Sequence, residues 1–362
     1  MKDRLPYQVI KAFFKEPSTI VPFGSGHIHD TYKVTQKAKG ENYLLQYINH
    51  KVFKDVTGMM QNIQLVTEHL SQKLDVLTYP SFFTLKIVPT LDGKPFFYKS
   101  AYGYWRVYTF VENSIGYDRA TSAQQAAEAG KAFGLFQALL ADMDASQLVA
   151  TIPNFHNMVF RLQNLDNAIK LNKAGRLNEV KGLLQFVESR RQSMRAFYKE
   201  IEQGKVPNRI THNDTKFNNV LLDAETQKAK AVVDLDTAMP GTLLYDFGDA
   251  IRTICNTREE DEPIVESIDF AIPFFKAFTK SYFKEVGQTI TPKEKEMLVF
   301  SAKYMTMIMG IRFLTDFLEG DVYYKTHHKQ HNLNRVRAQF KLIELIEEKE
   351  VELQRIVEKI CR

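Results

Sequence analysis

The chain has 362 residues, more than one hydrophobic core usually sustains, so two lobes are expected. Hydrophobic residues make up 44%, which excludes a disordered chain, and 48 basic against 43 acidic side chains leave +5, too diffuse a surplus for a nucleic-acid-binding surface. Two cysteines, Cys255 and Cys361, exclude a disulfide framework and a cysteine metal site, and suit a reducing cytoplasm.

Residues 1–16 carry Lys2, Asp3, Arg4, Lys11 and Lys15 without an uninterrupted apolar core, so no signal peptide is expected. Short strands are predicted at 19–23, 30–35 and 42–48. Between the first two lies Gly24-Ser25-Gly26-His27-Ile28, where glycines allow backbone amides to approach phosphate oxygens. Taken alone, those residues would also make an ordinary hairpin turn. A helix is predicted over 55–74, then strands over 82–88, 95–99 and 104–111. The last of these, from Tyr104 through Thr109 to Val111, would be the final strand of the β-rich stretch, running into a hinge. Trp105 on it could equally be plain core.

Beyond residue 112 the periodicity becomes helical. Helices are predicted over 122–143, 155–173, 178–203, 263–285, 291–317 and 334–360. Ser122 is the cap of the first, and Gly130 and Gly134 share one face of it, where a neighbour could come close. The most apolar window, 297–317, holds Lys303 and Arg312 and reads as too polar for a bilayer, so no membrane association is expected. The plan is α+β: a β-rich lobe over 1–112 and a mainly helical lobe over 113–362. With a polar loop at 211–219 of phosphoryl-transfer spacing inside the second lobe, this is the plan of a two-lobed protein-kinase-like fold, whose cleft between the lobes would hold ATP.

The most specific stretch is Thr211-His212-Asn213-Asp214-Thr215-Lys216-Phe217-Asn218-Asn219. Asp214 and Asn219 stand at the spacing of a phosphoryl-transfer loop, in which the aspartate accepts the proton of the attacking hydroxyl and the asparagine holds magnesium. A hairpin follows, from the apolar residues 220–222 to a strand ending at Asp234. A carboxylate at the end of an apolar strand needs a partner or a cation, so Asp234, with Asp236 two residues on, is the candidate magnesium ligand. Asp246-Phe247-Gly248 spells the metal-binding triplet of protein kinases but lies too far along, and Asp246 reads as a helix cap or a brace for the loop. Asp234-Leu235-Asp236 imitates a nucleotide-sugar transferase motif, but the βαβ alternation of those enzymes is missing here. His327, His328 and His331 read as a solvated loop rather than a metal site.

Together these residues resemble the aminoglycoside phosphotransferase and choline kinase group, and within it the N-acetylhexosamine 1-kinases. The matching stretches are residues 24–28, 104–108, 211–219, Asp234-Leu235-Asp236-Thr237-Ala238-Met239-Pro240-Gly241, Tyr245-Asp246-Phe247-Gly248-Asp249, and 310–314 continuing through 319–323. The loop motif is common to the whole group. The first and last stretches point to the sugar kinases. The resemblance implies an ATP- and magnesium-dependent enzyme that phosphorylates the anomeric hydroxyl of N-acetylglucosamine or N-acetylgalactosamine. Asp214 would be the base, Asn219 and Asp234 the metal ligands, and His27, Arg312 and Tyr323 the sugar contacts. Gly24, Ser25, Gly26, Thr109 and Val111 would hold the nucleotide. A monomer or weak homodimer in the cytoplasm is expected.

One departure keeps other readings open. Protein kinases place a phosphate-holding lysine on the third strand, where Tyr43-Leu44-Leu45-Gln46-Tyr47 offers Gln46. Lys33 and Lys51 are nearby in sequence. A choline, homoserine or aminoglycoside kinase, or a catalytically silent ATP-binding protein, are the alternatives. Without the resemblance, Arg312 reads as a paired structural arginine.

Overall fold

The structure, a computed structural model, describes residues 5–16, 18–24, 28–37, 40–77 and 82–361. Packing divides the chain into two compact units. One is Met1–Ile115, Asp142–Pro153 and Val220–Pro240; the other is Gly116–Ala141, Asn154–Asn219 and Gly241–Arg362. A single cut after residue 112 does not describe this division, because two later segments join the sheet-bearing unit. Asn62 shows why. Its buried amide donates to the carbonyls of Val149 (2.8 Å) and Ala238 (2.9 Å) and accepts the Val149 amide (3.0 Å).

In the first unit a short helix α1 (Leu5–Val9) precedes strands β1 (Ser18–Pro22), β2 (Asp30–Gln36) and β3 (Asn42–Ile48). Helix α2 (Val56–Leu77) follows, then β4 (Ile87–Val88), β5 (Phe97–Lys99) and β6 (Gly103–Thr109). The antiparallel order is β1-β2-β3-β6-β4, with β5 also on β6. Alternation turns Ile20, Val34, Leu45, Trp105 and Val107 to one face, where they pack with Val9 and Phe13. Trp105 is thus core. In α2, Met59, Ile63, Val66 and Leu70 recur at helical spacing and are buried. The strand predicted over 82–88 shrinks to its last two residues. Phe83 instead makes an isolated parallel bridge to Ala231.

Strand β7 (Ser114–Gly116) ends this stretch, and β8 (Arg209–Thr211) leads into the loop of interest. The hairpin after the loop is β9 (Val220–Asp223) and β10 (Ala229–Val232), and β11 (Met239–Gly241) follows.

The second unit is helical. Ser122 caps α3 (Ala123–Leu139) by accepting the Gln125 amide. Here α3 lies on α7 (Ile272–Val286) so closely that a Cβ on Gly130 would stand 2.3 Å from the Phe278 carbonyl oxygen, and one on Gly134 2.9 Å from that of Tyr282. The remaining helices are α4 (Met158–Leu171), α5 (Lys181–Glu202), α6 (Leu243–Ile254), α8 (Pro292–Glu319) and α9 (His331–Ile360). The predicted helix over 263–285 begins only at Ile272, with Pro273 in its first turn. No range was predicted for helix α6, although Asp246, Asp249 and Arg252 recur along it at helical spacing; it is only 12 residues long and carries Gly248, a poor helix former, near its middle.

By length and composition α8 could cross a membrane, contrary to the expectation from its charges. Yet 83% of its apolar window is buried inside the protein, as in a core helix. Lys303 is neutralised there by both Glu350 oxygens, at 2.7 and 2.8 Å.

Candidate active site

The loop between β8 and β9 is held by one carboxylate. Asp246, in the first turn of α6 and 1% exposed, accepts the amides of His212 (2.9 Å) and Asn213 (2.7 Å) and the side chain of Gln137 (2.7 Å). Its own carbonyl accepts the Thr215 hydroxyl at 2.6 Å. The cap of α6 is Thr242, so of the two roles open to Asp246 the brace is the one it fills. Burial pushes its carboxyl up to about 6, against the pull of His212 and the loop amides.

The brace lets Asn213 adopt a left-handed φ of 64°, a conformation asparagine tolerates. His156 reinforces it by donating from Nε2 to the Asn213 carbonyl at 3.1 Å. Buried among apolar atoms and beside Arg312, His156 is pulled down to about 3 and is neutral. Gly241 closes the loop's other side, since a Cβ there would stand 2.3 Å from the Thr211 hydroxyl.

Asp214 sits at the loop's turn with 24% of its side chain exposed. Burial pushes its carboxyl up, but Lys216, 3.2 Å away, and His212 outweigh that and hold it below the usual carboxylate range. It is therefore ionised. Asn219 donates its amide to the Asp214 carbonyl (2.7 Å) and carboxylate (3.2 Å), so Asp214 and Asn219 are brought together as their spacing suggests.

In the other unit, Asp234 and Asp236 part company. Asp234 lies two residues past the end of β10, in a left-handed conformation with φ 62°, and is exposed rather than buried. Asp236 is 2% exposed and fully engaged: both its oxygens accept from the Arg106 guanidinium, and His29 Nε2 bonds it too. The Asn49 amide donates to His29 Nδ1 at 3.1 Å, which leaves the ring proton on Nε2 to face Asp236. Burial raises the Asp236 carboxyl, yet Arg106 and His29 overcome it and hold the group well below the carboxylate range. Asp236 is thus a structural anchor, and Asp234 is the acid that faces outward.

Gln46 belongs to that anchor. Its Oε1 accepts Arg106 Nε at 3.0 Å and its Nε2 donates to Thr31 at 3.1 Å, so the third strand spends its central polar residue on holding Arg106. Lys33 lies over the Phe110 ring, 4.6 Å from its centre. The amides of Thr109 and Phe110 donate to Lys86 (2.9 Å) and Asn42 (3.3 Å) and are committed to the sheet; Val111 lies just past it, half-buried. Gly24 has the left-handed φ of 77° that a tight loop needs. Ser25, Gly26 and His27 lie outside the described residues.

Arg312 on α8 is not a paired arginine. Its guanidinium lies over Phe155 (5.0 Å), Tyr324 (5.5 Å) and Tyr323 (5.9 Å), and among the described residues no ion pair reaches it. Asp316, one turn on, fixes those tyrosines by accepting the amides of Val322 (2.9 Å), Tyr323 (2.7 Å) and Tyr324 (3.0 Å). Asp321 is bound to Arg176 at 2.5 Å and to Asn332 at 2.8 Å. His331 is no solvated loop residue: it opens α9, 2% exposed, with Nε2 on Asp261 at 2.7 Å.

Among the described residues no three His, Cys, Asp or Glu side chains gather into a metal-holding group. Taken one by one, the two predicted ligands have the right chemistry: Asn219, its amide nitrogen spent on Asp214, offers a carbonyl oxygen, and Asp234 in the other unit has an exposed carboxylate, each a hard oxygen donor of the kind magnesium takes. The side chains that sequence reasoning missed are Asp316, Lys216, Arg161, His156 and the Arg106–Asp236 pair. Only Lys216, two residues from Asp214, had a local signal.

A model of the phosphotransferase enzyme family matches residues 19–272, more than half of the chain. Among solved structures, an aminoglycoside phosphotransferase from Alicyclobacillus acidocaldarius superposes with a TM-score of 0.61 at 11% identity, covering 97% of this chain and 96% of that one. A spectinomycin phosphotransferase solved with ADP and spectinomycin gives 0.59 at 11%, covering 96% and 98%. The ethanolamine kinase of Plasmodium vivax gives 0.58 at 13%, covering 92% and 84%. At these identities the likeness is one of fold.

Proposed function

The chain belongs to the phosphotransferase enzyme family, and from that premise we propose that it phosphorylates the anomeric hydroxyl of an N-acetylhexosamine with ATP, giving the sugar 1-phosphate and ADP. The observation that carries this is Asp214: ionised, partly exposed, and held by Asn219 and Lys216 on a loop braced by Asp246. Asp214 accepts the hydroxyl proton as the sugar oxygen bonds to the γ-phosphorus and the bond to ADP breaks; the proton then leaves Asp214 to solvent. Lys216 keeps the carboxylate ionised beforehand.

Asn219 and Asp234 are the residues that would hold magnesium, which neutralises charge on the phosphates when bound. Gly24, Ser25 and Gly26 would supply backbone to the phosphates, and Thr109 and Val111 the adenine contacts. His27, Arg312 and Tyr323 would hold the sugar. The sugar reading rests on the stretches at 24–28 and 310–323. A kinase for choline or an aminoglycoside is the second reading, and it needs acids or open aromatic faces for an ammonium group. Asp321 is instead tied to Arg176, while Tyr323 and Tyr324 face a cation already.

The test is to incubate the protein with Mg-ATP and each amino sugar and follow phosphorus NMR. A 1-phosphate supports the proposal. Product only at the 6-position, or ADP release only with choline, homoserine or an aminoglycoside, overturns the substrate.

A further inference from the structure

We propose that the acceptor carries a negatively charged substituent, a carboxylate, sulfate or phosphate, bound between Arg161 and Arg312 beside the Tyr324 hydroxyl. The proposal rests on the reading of Asp214 as base and names the class of molecule placed before it.

Arg161 on α4 donates from Nε and Nη2 to the Phe155 carbonyl at 3.2 and 2.8 Å. Arg312 on α8 lies over the ring of the same residue. Two half-buried guanidiniums therefore flank one phenylalanine, and among the described residues neither has a carboxylate within 4.0 Å. The most deeply buried arginines are not left so: Arg106 has Asp236, Arg252 has Asp249 and Glu260, and Arg209 has Glu294.

Two like charges in a partly dry site repel each other and lose hydration, and a bridging anion removes both penalties through charge-assisted hydrogen bonds. Burial and the Arg312 charge pull Arg161 down to about 10, whereas at Arg312 burial is outweighed by Tyr324, Tyr323 and Asp214, which hold it above its ordinary value, so Arg161 is the guanidinium left short of a counter-charge. The Tyr324 hydroxyl is buried with no hydrogen-bond partner among the described residues and is in the field of both arginines. It is a donor awaiting an acceptor.

Phe155 and His156 connect the arginines to the loop: Phe155 takes both guanidiniums, on its carbonyl and on its ring, and His156 next to it bonds the carbonyl of Asn213, the residue before Asp214. A γ-phosphate held by Arg312 alone would leave Arg161 and Tyr324 unexplained.

The experiment compares kcat/KM of the wild-type protein for N-acetylglucosamine, its 6-sulfate, its 6-phosphate and the corresponding uronic acid, with glucuronic acid and glucose 6-phosphate as acceptors lacking the acetamido group. At least one anionic acceptor should exceed its neutral counterpart by about tenfold or more, through KM, as one charge-assisted contact supplies. In Arg161→Gln the preference for anionic acceptors should fall toward unity, with KM for ATP within about twofold of wild type. If neutral N-acetylglucosamine is turned over as well as every anionic acceptor, the inference fails while the amino-sugar reading stands. If only acceptors lacking the acetamido group react, and the charged ones are preferred, the inference stands and the amino-sugar reading fails. If Arg161→Gln raises KM for ATP and leaves the acceptor preference intact, the two arginines hold the nucleotide and the inference is wrong.

Discussion

The carboxylate of Asp246 accepts the backbone amide of Asn213 at 2.7 Å, from 33 residues further along the chain. That bond, with its neighbour to His212, fixes the backbone immediately before Asp214. An acid that spells a kinase metal triplet in the sequence thus works on the loop and not on a metal.

Asp246 gives a prediction in which stability and activity run in opposite directions with pH. An unfolded aspartate titrates near ~3.9, and this one is pushed up to about 6. Between those values the folded protein keeps a proton that the unfolded chain has lost, so this residue's contribution to stability falls as pH rises through the window and is flat above it. Turnover should rise through the same window, because only the ionised form accepts all three N–H groups. Asp214, held below the carboxylate range, does not set this limb. Melting temperature and kcat measured in the same buffers check it. In Asp246→Asn both trends near pH 6 should vanish and kcat should drop on the order of tenfold to a hundredfold, the cost of a buried amide left unpaired. An unchanged acid limb in that variant would place the titration elsewhere.

Asp236→Asn leaves the Arg106 guanidinium buried without its counter-charge, and about 3–5 kcal/mol of stability should be lost. Because Arg106 and His29 depress the Asp236 carboxyl, its contribution is fully present above the unfolded value near ~3.9 and is lost as pH falls below it. Replacing both partners, Arg106→Met with Asp236→Leu, should recover part of the loss in thermal melts. A single variant as stable as wild type would show that the pair contributes nothing.

Two glycines make a contrasting pair. Gly130→Ala drives a Cβ to 2.3 Å from the Phe278 carbonyl, and backbone cannot step aside, so the α3–α7 contact should weaken by about 1–3 kcal/mol. Gly182→Ala in α5 meets nothing within 4 Å and should be neutral or gain up to about 1 kcal/mol. Calorimetry on the two proteins decides the matter, and equal melting temperatures would refute the packing argument.

What the sequence disclosed was what local spacing encodes. Strand β3 is found where it was predicted, the Ser122 cap and the Gly130 face lie as read, and Asp214 meets Asn219 because five residues of loop suffice to bring them together. What depends on distant partners was not legible. Asp236 looked like a second metal acid because Arg106, 130 positions away, leaves no mark near it. Arg161 is an ordinary helix arginine until Phe155 and Arg312 are seen around it. Helix α6 is short and interrupted by Gly248, so the helical spacing of Asp246, Asp249 and Arg252 was not read, and the irregular 263–271 stretch imitated a helix start through Pro263. His331 looked solvated only because Asp261 is remote in sequence.

The central measurement is steady-state turnover of Asp214→Asn beside its ATP affinity by calorimetry. The account predicts a kcat lower by roughly 10²- to 10⁴-fold, as for a lost general base, with ATP binding little changed. Near-normal turnover would contradict it, because the proton would then be leaving by way of another group.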